Sequence, residues 1–244
     1  IMGRAIDNRE AIIRRRGAMQ TLNKLLMRTA LLAVAAASSL AHADGGPRFE
    51  VTVTNLTRGQ QFTPILVAAH RRGVSLFKAG DPASPQLAML AEEGDTAPLT
   101  SLLSAMPEVK EVASSSGLLS PGDSVTISVK TGGPFDHLSV AAMLIPTNDG
   151  FFALNGVLGP KGNQLLSRDS PAYDAGSERN DERCASIPGP AFAECGGPGG
   201  GGKPEGDEEG YVHIHAGIHG IGDLPPEVRD WRNPVARIVV RRAR

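Results

Sequence analysis

The sequence has few aromatic residues, few cysteines and little net charge. Phe, Tyr and Trp make up 4% of the 244 residues, two cysteines are present, and the formal net charge is −1. Glycine and proline are abundant instead, with 29 and 18 copies. Such a composition makes long helices scarce and short strands between turns common. The chain also lacks the strongly basic surface that nucleic-acid binding requires.

The N-terminal region has the pattern of a secretory leader. Residues 19–43 combine the positive charges of Lys24 and Arg28, an Ala/Leu-rich run at 31–37 and the small-residue ending Ala-His-Ala at 41–43. This combination is typical of a signal peptide. The apolar run is too short to span a bilayer on its own.

The leader divides the chain into three predicted parts. They are an upstream extension at 1–18, the signal peptide at 19–43, and one mature domain at 44–244 that contains a flexible, Gly-rich acidic loop at 196–210. Residues 44–244 carry 18 Lys and Arg against 24 Asp and Glu, a net charge of −6. We therefore expect a protein that is secreted, periplasmic or on the cell surface. We expect no transmembrane segment in the mature chain and no nucleic-acid partner.

Short apolar stretches separated by turn residues predict an all-β fold. Alternating stretches such as FEVTVTNL (49–56) and DSVTISVK (123–130) indicate half-buried strands. Fully apolar stretches such as PILVAAH (64–70) and HLSVAAMLIP (137–146) indicate interior strands. The remaining predicted elements are strands at 211–218 and 235–242 and a helix at 98–113. An antiparallel β-sandwich with one or two short helices fits this pattern.

The two cysteines, Cys184 and Cys195, both lie in the predicted mature domain. A secreted protein meets an oxidising compartment, where such a pair commonly forms a disulfide. The alternative is a pair of thiolate metal ligands, although the spacing is not the CxxC of common zinc sites.

Three of the six histidines fall in the stretch YVHIHAGIHG (211–220). Alternate side chains on a strand share a face, so His213 and His215 can reach one ion. His219 would complete the three protein ligands of a catalytic zinc. The alternative is that all three are half-buried, hydrogen-bonded side chains of the sheet. No Gly-x-Ser-x-Gly, HExxH or Cys/His pair supports catalysis.

Four stretches carry motifs in a fixed order. They are HRRGVSLFKAGDPASPQLAMLAEEGD (70–95), HLSVAAMLIPTNDGFFALNG (137–156), YDAGSERN (173–180) and VARIVVRR (235–242). Together they resemble the spondin N-terminal domain, found in extracellular matrix proteins such as F-spondin and mindin. The chain lacks the thrombospondin repeats of the animal members, and the Trp that follows the Asp of their Pro-x-x-Asp turn. It therefore resembles a stand-alone bacterial-type member.

The resemblance implies an eight-stranded antiparallel β-sandwich related to C2 domains, with calcium held by acidic loops at one end. Two of the family's ligand positions match Asp149, in the Pro-x-x-Asp turn, and Asp174, in the Asp-Ala-Gly motif. The third is an acid shortly before the apolar strand, where Asp136 is nearest. Calcium takes six to eight oxygen ligands, which loop carboxylates can supply. The alternative is that both motifs are ordinary turns in which Asp caps its own backbone. Other loop acids, Asp181 and Glu182 among them, are interpreted as solvated.

These features predict a non-catalytic, calcium-binding module that is secreted for adhesion or recognition at the cell surface or in the matrix. Its partner would be an extracellular protein, a glycan or a lipid head group. The alternative is a secreted zinc metalloenzyme or zinc-binding protein that uses His213, His215 and His219. A structural envelope protein without any ion is a third hypothesis.

Overall fold

The computed structural model describes residues 46–201 and 206–243. The predicted upstream extension and signal peptide lie outside the described residues, as do residues 202–205 of the predicted flexible loop. Within the described residues the helices are α1 (Pro85–Glu93), α2 (Ala97–Ser104) and α3 (Pro226–Arg229). The strands are β1 (Arg48–Asn55), β2 (Gln61–Phe62), β3 (Leu66–His70), β4 (Val109–Ser114), β5 (Ser124–Lys130), β6 (His137–Ile145), β7 (Gly150–Leu158), β8 (Leu165–Ser170), β9 (Ala172–Asp174), β10 (Ala191–Phe192), β11 (Gly197–Pro198), β12 (His213–Ile214) and β13 (Ala236–Ala243).

Two antiparallel sheets form the fold, which confirms the predicted all-β sandwich. The smaller sheet has the order β5-β1-β13-β8. The larger has the order β12-β9-β7-β6-β3-β4, and β2 pairs beside β6. The strands β10 and β11 form a separate small hairpin. The first and last strands of the domain are neighbours, since β1 pairs with β13 along its whole length.

The main core lies between the two sheets. Side chains alternate along β1 between half-buried and fully buried, as its alternating sequence predicts. Its buried residues Phe49, Val51 and Val53 belong to the same apolar cluster as Val140 and Phe152 of the larger sheet. This burial of apolar surface is the main term that stabilises the sandwich.

A second core covers the other face of the larger sheet. Leu87 and Leu90 of α1 and Leu99 of α2 share an apolar cluster with Leu66 and Phe151 of the sheet. The central strands β3 and β6 are therefore covered on both faces. This double burial explains why their sequences are apolar throughout, since neither face meets water.

Helix α1 lies where no helix was assigned from the sequence. Ser84 caps its start, since the Ser84 hydroxyl accepts the Leu87 N–H at 3.2 Å. Among the described residues, no helix combines the length and apolar character needed to cross a bilayer.

The predicted helix at 98–113 is wrong in its second half. The helix stops at Ser104, and residues 109–114 form the edge strand β4, which pairs with β3. Pro107 accounts for the break, because proline removes a backbone donor and disfavours helical geometry in the residue before it. Pairing with β3 then satisfies backbone hydrogen-bonding groups of residues 109–114.

The predicted strand at 211–218 is also much shorter than expected. Only His213–Ile214 is a strand, β12, and it pairs with β9. Beyond it the His215 N–H still donates to the Ala172 carbonyl oxygen of β9 at 3.0 Å, and the next backbone donors find side chains. The N–H of Gly217 donates to the His215 ring at 3.0 Å, and that of Ile218 donates to Asp230 at 3.2 Å. The segment therefore leaves the sheet without leaving those donors unpaired.

A disulfide joins Cys184 and Cys195, as predicted, with their Cα atoms 5.5 Å apart. The hairpin of β10 and β11 lies around it, so the start of the predicted flexible loop is a paired strand. A side chain at Gly199 would overlap the carbonyl oxygen of Ile187. These residues are therefore packed against the loop that precedes them.

Candidate metal centre

The ends of three neighbouring strands bring the candidate site together at one end of the larger sheet. Gly150, the first residue of β7, pairs with Asp174 at the end of β9. Asp174 in turn pairs with His213 on β12. Asp149 immediately precedes Gly150. The two carboxylates predicted as calcium ligands thus lie at the ends of neighbouring strands. The next strand of the sheet, β12, carries His213.

Asp149 is fully buried, and only one of its two carboxylate oxygens is hydrogen-bonded. Oδ2 accepts the backbone N–H groups of Ser177 at 2.8 Å and Glu178 at 3.0 Å, and the Ser177 hydroxyl at 3.2 Å. Oδ1 has no hydrogen-bond partner among the described residues. A buried carboxylate oxygen without a partner is costly, and its position is one where a cation is expected to bind.

Asp174 is also buried, and the residues around it hold its orientation. Its Oδ1 accepts the Gly176 N–H at 2.7 Å, and its Oδ2 accepts the Asn180 side-chain amide at 2.6 Å. Gly176 has a φ of +65°, and a Cβ there would overlap the Tyr211 carbonyl oxygen. Glycine is therefore required where this loop crosses the segment that carries His213.

The electrostatics of the pair point to a missing positive charge. Burial, together with the negative charges of Asp174 and Glu209, raises the pKa of Asp149 to about 7 against the lowering effect of its hydrogen bonds to Glu178 and Ser177. Burial likewise raises the pKa of Asp174 and Glu209 adds to the rise, while hydrogen bonds from Asn180 and Gly176 and the nearby His213 oppose it. A bound cation would offset this repulsion.

His213 approaches the same carboxylates. Its Nδ1 lies 3.8 Å from Asp174 Oδ1 and 3.1 Å from the Tyr211 carbonyl oxygen. One ring nitrogen of His213 and one carboxylate oxygen each of Asp174 and Glu209 all lie within 4.8 Å of one another. These three residues offer a mixed nitrogen and oxygen set of metal ligands.

His215 is buried beside the site but is not placed to bind a metal. Its Nδ1 accepts the Gly217 N–H at 3.0 Å. The proton of the neutral ring is therefore on Nε2, which lies 4.0 Å from Asp174 Oδ2 and has no hydrogen-bond partner among the described residues. Burial lowers the pKa of His215 to about 3, so the ring stays neutral near pH 7. A ring nitrogen that carries a proton has no lone pair for a metal.

His219 belongs to a different local network. Its side chain is 58% exposed, and its Nδ1 lies 3.5 Å from Glu182 Oε1. In the part of the chain that the structure describes, the ring nitrogens of the three histidines are not close enough together to bind one metal ion. The predicted zinc trio of His213, His215 and His219 is therefore not brought together.

Asp136, the third predicted calcium ligand, is far from the other two. It precedes β6, whereas Asp149 follows the end of that strand, which is nine residues long. At roughly 3.4 Å per residue the two aspartates are separated by about 30 Å. Asp136 is instead hydrogen-bonded to the neighbouring His137 at 2.7 Å. Asp136 was chosen only as the acid nearest to the start of the apolar strand, and nearness in sequence does not bring it to the end of that strand.

Two residues of the site were missed from sequence. Glu209 lies in an acidic, Gly-rich stretch whose composition indicates solvent exposure, and Asn180 was not separated from its polar neighbours. The short spacing between Asn180 and the Asp-Ala-Gly motif was the only available signal.

Glu182 was also interpreted wrongly as a solvated charge, although it is buried. Its carboxylate accepts the backbone N–H groups of His219, Gly220 and Ile221 at 2.5, 2.7 and 3.0 Å. It thereby fixes the loop that follows β12, which carries the buried His215.

Comparison with known proteins gives one family. Residues 52–158 match the family model described as Spondin_N. The match covers β1 to β7 and includes Asp149, but it ends before Asp174, Glu209 and His213. No curated protein matches the chain.

Proposed function

Because residues 52–158 place this chain in the spondin N-terminal domain family, we propose that it is a secreted, calcium-binding recognition module without catalytic activity. The family is extracellular and non-enzymatic, and its members are modules of the recognition and adhesion type. The disulfide between Cys184 and Cys195 agrees with a secreted location.

The unpartnered buried oxygen of Asp149 is the single observation that supports calcium most strongly. Calcium is a hard cation that prefers carboxylate and carbonyl oxygens in an adaptable geometry. Asp149 and Asp174 would hold it, and Glu209 contributes further negative charge at the same place. The donor set therefore fits the ion that the family implies.

Calcium would act by tying loops together. Asp149 follows β6, and its other oxygen already holds the backbone of Ser177 and Glu178 in the loop after β9. The loop that follows Asp174 crosses the segment before β12 at Gly176. A cation that links the two carboxylates would stabilise all three loops at this end of the sandwich.

Loops held in this way form a rigid surface for an extracellular protein, a glycan or a lipid head group. Rigid loops lose less conformational entropy on binding, which favours affinity. The net charge of −6 on residues 44–244 disfavours an anionic lipid surface unless calcium bridges the two.

A catalytic zinc protein, the alternative from sequence, has less support. Its three histidines are not grouped among the described residues. His215 carries its proton on the nitrogen that faces Asp174, and His219 points to Glu182.

Thermal unfolding with and without calcium tests the proposal. A ligand at about 100 times its Kd stabilises the folded state by about 2.7 kcal/mol. We expect a rise of this order in calcium relative to EDTA, and its loss in Asp149→Asn and Asp174→Asn. The matched control is Asp123→Asn, which changes an exposed carboxylate in a turn. An equal calcium response in wild type and Asp149→Asn would refute calcium binding at this site.

A further inference from the structure

The group of Asp174, Glu209 and His213 extends from the buried interior to the surface. Asp174 is buried, His213 is half-buried and Glu209 is exposed. Their potential ligand atoms lie within 4.8 Å of one another. A solvated ion could therefore reach this group from outside and exchange waters for protein ligands.

We propose that Asp174, Glu209 and His213 form a second cation position, which binds a transition-metal ion of the Zn²⁺ or Mn²⁺ type. This outer position shares Asp174 with the calcium position at Asp149. It does not depend on the calcium proposal, because its ligands meet whether or not Asp149 holds an ion.

The nitrogen ligand separates the outer position from a calcium site. Calcium and magnesium select oxygen, whereas imidazole together with carboxylate suits zinc and its first-row neighbours. One ring nitrogen of His213 lies within 4.8 Å of a carboxylate oxygen of Asp174 and of one of Glu209.

An independent observation also indicates that a group belongs here. The Nε2–H of His215 is buried, has no hydrogen-bond partner among the described residues and lies 4.0 Å from Asp174 Oδ2. Buried polar groups in folded proteins are almost always satisfied. His215 and Asp149, which carry an unsatisfied donor and an unsatisfied oxygen, are both neighbours of Asp174. A hydrated cation at Asp174 would give both groups a partner, because its water molecules can donate to the Asp149 oxygen and accept the His215 N–H.

Charge supports the same conclusion. The negative charges of Asp174 and Glu209 both act on Asp149, and that of Glu209 also acts on Asp174. Three protein ligands at the outer position would leave places for water or for a partner's side chain.

The test uses zinc and cobalt as probes on the full-length protein in buffer that contains calcium. Zinc affinity is measured by isothermal titration calorimetry. Cobalt(II) provides a visible absorption spectrum that responds to nitrogen ligation. We expect His213→Ala and Glu209→Gln each to weaken zinc binding by about tenfold or more. His219→Ala is the matched control, since it removes an exposed histidine of the same stretch, and should leave zinc affinity unchanged.

Calcium binding separates this proposal from the first one. Asp149→Asn should lose the calcium response and keep zinc binding, whereas His213→Ala should do the reverse. Unfolding of each variant in EDTA checks that its fold is intact. The proposal is overturned if wild type binds no zinc, if His219→Ala weakens zinc as much as His213→Ala, or if His213→Ala removes calcium and zinc together.

Discussion

Replacing Asp149 by asparagine should change how the stability of the metal-free protein depends on pH. Asparagine has the same shape but no charge. Its side-chain oxygen can keep accepting the N–H groups of Ser177 and Glu178, and its NH₂ group would occupy the place of the unpartnered Oδ1. The substitution therefore removes the titration of this carboxyl while it preserves the packing.

The magnitude follows from the pKa of Asp149, which rises from its ordinary value of 3.8 to about 7 on folding. Because the folded pKa is raised, the protonated acid favours the folded state below about pH 4. That contribution is lost as the pH rises towards 7. Each pKa unit corresponds to about 1.4 kcal/mol, so the loss is at most about 4 kcal/mol. Burial raises the pKa of Asp174 as well, which acts in the same direction.

The assay is thermal or urea unfolding in EDTA at several pH values between about 4 and 8, applied to wild type, Asp149→Asn and the control Asp123→Asn. Wild type and control should lose stability relative to Asp149→Asn as the pH rises, by about 10 °C in Tm if the whole effect is present. Saturating calcium should remove the loss, because the ion stabilises the ionised carboxylate. Parallel pH curves for wild type and Asp149→Asn would refute the reasoning.

Two further predictions concern the loops that support the site. Replacing both Cys184 and Cys195 by serine opens a loop with a sequence separation of 11, and should lower the free energy of unfolding by about 3 kcal/mol. Urea unfolding measures this, and reduction of the wild type should reproduce it; an unchanged midpoint would contradict it. Glu182→Gln leaves one neutral acceptor oxygen for three backbone N–H donors, where the wild type has two charged carboxylate oxygens. The substitution should lower the free energy of unfolding by about 1–3 kcal/mol. Glu208→Gln, in an exposed stretch, is its control, and equal stability of the two variants would exclude a structural role for Glu182.

The sequence pattern was sufficient to predict a strand where its two faces differ in burial. The alternation in β1 and β5 predicted their bounds to within one residue, because burial of every second side chain leaves a period-two pattern. The apolar runs at β3 and β6 predicted full burial for the same reason. They could not show that a second sheet covers one face and α1 with α2 the other, since an apolar side chain does not specify its partner.

Local pattern failed where a distant contact decides the structure. Residues 165–170, LLSRDS, do not alternate regularly, and they form a strand only because β13 pairs with them. Residues 109–114 follow a helical segment in sequence, but β3 offers them an edge. Backbone hydrogen bonding to a remote strand is not encoded in the composition of the segment itself.

The sequence by itself determined the alternating strands, the oxidisable cysteine pair and two carboxylates in short turn motifs, because each is a property of neighbouring residues. Only the tertiary structure decided that Asp174, Glu209 and His213 meet, that Asp136 is remote and that His215 is buried with its proton facing Asp174. These relations depend on the pairing of β7, β9 and β12, which are separated along the chain by loops. Residues that far apart come together through sheet register and packing, and a local motif does not record either of them.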